Sequence, residues 1–389
     1  MINRRNLMKS TMAMTAAATM PVSLCLAAAN MEERFVVIVL RGGMDGLHAL
    51  VPYADRNYRN LRPKLWKSFE APRKLIRLND AFALHGKLKR LSELYKVGQL
   101  ALFPATSTPY RERSHFDGQN VLEIGGRSPF ELKDGWLNRA ISELPKDDDD
   151  RLGLTIGSNL PLILQGEARI QTYGKSPFRE TGEDFLNRLD YAYSDFPAFQ
   201  KSLQTAMMSP QPDSNVMGGK TRKDSLADAA KSAAALLIKE KGPRVAVLEM
   251  GGWDTHFGQV GRLDRQFEAL DDGIVALMDG LGASWKRTAV LVVSEFGRTA
   301  AENGTGGTDH GTGGLAILLG GAVRGGKIMG KWPGLAKGDL YQGRDVFPEN
   351  NLDNVIAVIL KEHLGLSDKT VRQKVLPKRE LVPYGNLFI

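Results

Sequence analysis

Short runs of consecutive apolar residues, separated by stretches with helical spacing, organise the chain. Phe35-Val36-Val37-Ile38-Val39-Leu40 has no polar alternation and reads as a strand buried on both faces. Gln99 to Phe103, Arg244 to Glu249, Thr288 to Val293 and Gly314 to Leu319 read the same way. Between them, residues 86–97 carry Leu88, Leu91 and Leu94 at helical spacing, 223–241 form an Ala-rich helix and 261–282 an amphipathic one. Ser114 precedes a helix start as its N-cap, with Asp117 at the third helical position. Alternation of buried strands with helices predicts an α/β fold: a mostly parallel sheet with helices on both faces. The pattern weakens over 125–220, where Pro145–Asp150 is a solvated acidic run and 209–219 a loop, so this stretch reads as a loop-rich insertion or cap.

The first residues stand outside that pattern. Asn3-Arg4-Arg5-Asn6-Leu7-Met8-Lys9, an apolar Ala/Met-rich stretch and Ala27-Ala28-Ala29 form a twin-arginine export signal, residues 1–29. Its apolar part is short and broken by Pro21, so cleavage is expected and no transmembrane anchor remains. Residues 30–389 then form a single domain in the periplasm or outside the cell. The lone cysteine, Cys25, leaves with the signal, which excludes disulfides and thiolate metal ligands from the mature chain. The net charge of +8 includes Arg4, Arg5 and Lys9 of the signal, and the other basic residues are scattered without interleaved aromatics. That argues against nucleic acid and for an anionic substrate or an envelope partner.

Candidate chemistry sits where the strands end. Asp45 follows the first strand, Asp254 and His256 the Arg244–Glu249 strand, and Glu295 the Thr288–Val293 strand, while Asp309 and His310 precede Gly314–Leu319. Carboxylates and imidazoles delivered by loops at such ends are how an open α/β sheet builds a ligand site. The oxygen and nitrogen donors suit one or two divalent ions, zinc first, with manganese, magnesium or calcium compatible. Ser114, at a helix N-terminus and flanked by Arg113 and His115, is the candidate nucleophile, with those two as its catalytic neighbours. Arg298 is the candidate clamp for the transferring anion. His48 and His85 read as structural, and His363 as a surface residue.

The signal, Leu40-Arg41-Gly42-Gly43-Met44-Asp45-Gly46, Arg113-Ser114-His115-Phe116, Gly251 to His256, Ser294-Glu295-Phe296-Gly297-Arg298-Thr299 and Gly307 to Gly311 together resemble an exported bacterial family of unknown function. That family is placed distantly within the alkaline phosphatase-like superfamily, which includes sulfatases and cofactor-independent phosphoglycerate mutases. The resemblance implies an alkaline phosphatase-like fold in which Asp45, Asp254, His256 and His310 look like metal ligands and Ser114 holds the nucleophile position. Leu84 to Gly98 is similar to the helix that leads toward the nucleophile strand. The chain departs from the pattern: Asp254 and His256 are closer than the usual Asp-x-x-x-His, Glu295 replaces Asp, and Phe296 replaces a ligand histidine. Ser107-Thr108-Pro109-Tyr110-Arg111 is similar to the sulfatase Ser/Cys-x-Pro-x-Arg motif and makes Ser107 a rival nucleophile. Residues and resemblance together point to an exported metal-dependent hydrolase of phosphate or sulfate esters. The alternatives are a phosphoryl or sulfuryl transferase, or a non-catalytic envelope protein with a degenerate metal site.

Overall fold

The computed structural model describes residues 31–70, 74–145, 152–157, 159–174, 193, 196, 225–382 and 384–389. The expected export signal and most of 175–224 therefore lie outside the described residues. Among the described residues, nine strands form the main sheet: β1 Arg34–Leu40, β2 Leu100–Ser107, β3 Gly153–Ile156, β4 Ile170–Tyr173, β5 Val245–Met250, β6 Thr288–Val293, β7 Gly314–Leu319, β8 Lys327–Ile328 and β9 Asn350–Asn351. Their order is β8-β2-β7-β6-β1-β5-β3-β4, with β9 also paired to β2. All pairings are parallel except the two made by β7.

The helices that matter to the site are α1 Gly46–Ala49, α2 Lys89–Lys96, α3 His115–Ile124, α4 Trp136–Ser142, α5 Leu226–Leu237, α6 Gln259–Leu281 and α7 Leu352–Val358. Both faces of the sheet are covered. Phe35, Val37 and Val39 of β1 pack with Trp136, Leu137 and the α7 residues Val355 and Ile356. Val36, Ile38 and Leu40 face the other way, onto Ala233, Leu237, Phe267 and Ile274 of α5 and α6. Alternate residues of one strand thus enter different cores, which is why the run carries no polar positions.

Two features depart from the reading of the pattern. The residues between β6 and β7 form no crossover helix, and without one a strand returns antiparallel. The start of β7 therefore lies at the same sheet edge as the carboxyl ends of β1, β2, β5 and β6. Within 125–220, the described residues supply α4 and two parallel strands to the main sheet, β3 beside β5 and β4 at the edge. Among the described residues no helix is long and apolar enough to cross a membrane.

His363 corrects the expectation of a surface residue. It is buried, stacked on Phe388 with ring centroids 5.0 Å apart, and its Nε2 donates to the Arg34 carbonyl at 2.9 Å. A C-terminal helix that packs against β1 has no free face there. His48 and His85 are also buried, beside Phe69 and Phe267. Burial holds the His48 pKa down at about 3, so this ring is neutral at ordinary pH.

Candidate metal centre

One sheet edge collects the loops after β1, β2, β5 and β6 and the loop before β7. Three histidines arrive there, each fixed by a bond from its Nδ1. His115, the first residue of α3, is held by Glu295 Oε1 at 2.7 Å. His256 is held by Asp309 Oδ1 at 3.0 Å, and His310 by the carbonyl of Arg113 at 2.9 Å. All three partners are oxygens that accept, so each Nδ1 carries a proton and Nε2 is left as the ligand atom of each ring.

Those ligand atoms converge. From Asp254 Oδ1, the Nε2 atoms of His256, His310 and His115 lie at 2.9, 3.2 and 3.5 Å, and His256 Nε2 is 3.0 Å from His310 Nε2. Ligand atoms of His115, Asp254 and His310 lie within 4.8 Å of one another and form a possible metal site. A tetrahedral zinc with bonds of roughly 2.0–2.1 Å separates its ligand atoms by about 3.3 Å, close to the spacing here. His115 Nε2 is buried without a hydrogen-bond partner. Four acceptors turned on one another, with no donor among them, repel unless a proton or a cation sits between them. The donor set fits a divalent ion.

The electrostatics agree. Burial raises the Asp254 carboxyl, but the hydrogen bond and charge of Arg298 outweigh it and hold the pKa at about 2. Its bond to Glu295 raises the His115 pKa, which makes the proton the competitor for this nitrogen when no cation is bound. Burial lowers the pKa of His310, with the charge of His115 beside it acting in the same direction. Phe296, almost fully buried, forms an apolar wall against the rings of His115 and His310, at centroid distances of 4.9 and 5.1 Å.

Several residues expected at the ion stand one bond behind it. Glu295 is buried and accepts from His115, from Gln119 Nε2 at 3.1 Å and from the Gly42 amide at 2.8 Å. Asp309 accepts from His256 and from Asn303 Nδ2 at 3.1 Å. Both orient an imidazole. Replacing Glu295 with Gln is expected to weaken divalent-metal binding about 10–100-fold, checked by chelator competition.

Asp45 is a correction. Both its oxygens accept from Arg62 Nη1, at 3.0 and 2.8 Å, Oδ2 accepts from Gln259 Nε2 at 2.6 Å, and the residue has no exposed surface. It caps α1 by accepting from the His48 amide and has no place in the histidine cluster. Arg298 is a second correction. Its fully buried guanidinium donates to the carbonyls of Gly42, Gly43, Trp253 and Thr308 and to Asp254, so it ties strand-end loops together and leaves no fork for an anion.

Ser114 is the N-cap of α3, its Oγ accepting from the Asp117 amide at 3.4 Å. Arg113 has a left-handed backbone (φ 63°), which turns its carbonyl to His310 while its side chain donates to Asp345 and Gln342. Ser107 is buried, with its hydroxyl donating to the Thr108 carbonyl and accepting from Arg111. Close backbone approach holds the loops in register. A Cβ at Gly307 would meet the His256 carbonyl carbon at 2.3 Å, and one at Gly42 the Asp254 nitrogen at 2.6 Å. Gln119 was findable from sequence, since it lies four residues after His115 on the same helix face. Arg62, Gln259 and Asn303 carried no sequence signal, because their partners are distant along the chain.

Residues 32–375 match the family model described as "Protein of unknown function (DUF1501)". The chain belongs to this family. No curated protein sequence matches it. Among solved structures, the DUF1501 chain is similar to the C-terminal periplasmic domain of EcEptC from Escherichia coli in complex with zinc. That match has 12% identity and a TM-score of 0.41, and covers 92% of each chain. A protein in the alkaline phosphatase superfamily from Vibrio parahaemolyticus is 11% identical with a TM-score of 0.40, over 90% of this chain and 71% of that one. Alkaline phosphatase from the Antarctic bacterium TAB5 is 13% identical with a TM-score of 0.35, over 75% and 91%.

Proposed function

We propose that this protein is an exported, metal-dependent hydrolase of phosphate or sulfate esters. The observation that carries the reading is the convergence of three Nε2 lone pairs on one oxygen of Asp254, each imidazole locked by its own acceptor. His115, Asp254 and His310 hold a single ion with His256 beside them, and the nitrogen-and-oxygen donor set favours zinc. Phe296 stands where a further imidazole would be needed for a second ion. When bound, the ion supplies positive charge to the ester oxygens.

The chain's own residues do the rest. Glu295, Asp309 and the Arg113 carbonyl fix the imidazoles, and Arg298 keeps Asp254 ionised and aimed. Ser114 is the nucleophile: its hydroxyl stands at the positive end of α3, where it accepts from the Asp117 amide. Its oxygen bonds to phosphorus or sulfur as the ester oxygen leaves with the alcohol, and water then frees the serine. The substrate is an anionic ester of the periplasm or the cell exterior.

The test is elemental analysis of natively exported protein, joined to assays on aryl phosphate and aryl sulfate. One zinc equivalent is expected, with turnover abolished by Ser114→Ala while zinc is retained. Protein that binds no divalent ion, or turns over equally well without His310, overturns the reading.

A further inference from the structure

Arg41 directly follows β1 and bonds to none of His115, Asp254, His256 and His310, yet it reaches both sides of their cluster. On one side its Nη1 donates to Gln119 Oε1 at 3.0 Å, and Gln119 Nε2 donates at 3.1 Å to the Glu295 oxygen that holds His115. On the other, its carbonyl accepts from the Trp253 amide at 3.3 Å, one residue before Asp254. Gly42, the next residue, gives its amide to the same Glu295 oxygen at 2.8 Å. The Arg41 side chain is itself fixed: Nη1 also donates to Glu123 Oε1 at 2.8 Å, and Nε to Glu249 Oε1 at 2.7 Å.

A glutamine amide can present either end to a neighbour, and only the nitrogen end donates. With the Arg41 guanidinium at Oε1, a flipped amide would set donor against donor on that side and acceptor against acceptor at Glu295. Nε2 therefore faces Glu295. His115, Gln119 and Glu123 are spaced four residues apart along α3 and share one helix face. One guanidinium bound to the second and third of them fixes the helix along its length, and with it the imidazole on its first turn. Glu123 ties this clamp down: it is almost fully buried, and its Oε2 accepts from the Ile163 amide at 2.9 Å. An ion pair kept only to neutralise Glu123 would need no bond to Gln119.

We infer that Arg41 is a positioning residue of the metal centre, setting affinity for the ion through Gln119, Glu295 and His115. The inference rests on the metal-centre reading above and names what tunes that site. Groups behind a metal ligand typically change metal affinity about 10–100-fold. Arg41 and Gln119 act in series on one imidazole, so their effects do not multiply.

The experiment measures zinc affinity by chelator competition for Gln119→Leu, Arg41→Met and the two together, all in a Glu123→Gln background so that no buried carboxylate is stranded. Each single change is expected to weaken binding about tenfold, and the pair about tenfold in total, not the roughly hundredfold of two independent sites. Gln119→Leu is also made in the otherwise unaltered chain, where the Arg41–Glu123 ion pair stays whole, and the same loss is expected there. The visible bands of the cobalt-loaded protein should shift alike in all these variants, because the His115 ring is no longer held in one orientation. Affinity unchanged in either single variant, losses that multiply, or unshifted cobalt bands overturn the inference. If the losses are as expected but no ester is turned over, the hydrolase reading alone fails. If ester is turned over and the variants bind zinc as the parent does, the inference alone fails.

Discussion

Asp254→Asn and His310→Ala are each expected to weaken zinc binding well beyond the roughly 10–100-fold set by partners one bond removed from the ion. Asp254 Oδ1 is the atom on which all three Nε2 atoms close, and its negative charge offsets both the ion and Arg298. An asparagine keeps the shape and loses the charge, which leaves Arg298 buried without its carboxylate partner. His310→Ala removes one nitrogen and leaves Asp254 and Arg298 in place, so it separates metal affinity from the electrostatics beneath the site. Zinc stoichiometry after dialysis against a graded series of chelators reads both. Thermal unfolding in excess chelator shows whether the variants are folded. Retention of one zinc equivalent by both variants against the strongest chelator would remove these residues from the centre.

Much of the fold was legible because β1, β5, β6 and β7 lie deep in the sheet. A strand packed on both faces must be apolar throughout, and Thr288–Val293 and Gly314–Leu319 are strands over those same residues. The start of α3 was equally plain, since Ser114 and the Asp117 amide lie three residues apart. What the pattern does not hold is direction. An apolar run reads alike in parallel and antiparallel pairing, so the reversal of β7 waited on the missing crossover helix. The strands β3 and β4 are four residues each, too short to show a period. The site was half legible for a related reason. Residue type marks Glu295, Asp309 and Asp254 alike as oxygen donors; only geometry shows which face the shared point and which hold an imidazole. His115, read as a neighbour of the nucleophile, comes to that point because α3 begins there.

Asp45 shows the limit most clearly, and its pairing with Arg62 carries the largest expected effect on stability. The two side chains are fully buried, and Arg62 also donates to the Thr299 and Ala300 carbonyls at 2.7 and 2.9 Å. Burial raises the Asp45 carboxyl, but the charge of Arg62 more than reverses it, so the pair is ionised. Arg62→Met strands that carboxylate in the interior and is expected to cost about 3–5 kcal/mol, a large share of the roughly 5–15 kcal/mol of a typical domain. The double variant Asp45→Asn, Arg62→Met removes both charges and should recover part of the loss. Urea unfolding midpoints of the three proteins give these differences, taken in excess chelator so that zinc binding does not add to stability. Zinc stoichiometry is expected to stay at one in Asp45→Asn, because neither oxygen of Asp45 faces the histidine cluster. The opposite pattern, zinc lost from Asp45→Asn with stability unchanged, would return this carboxylate to the metal and leave Arg62 without the role argued for it.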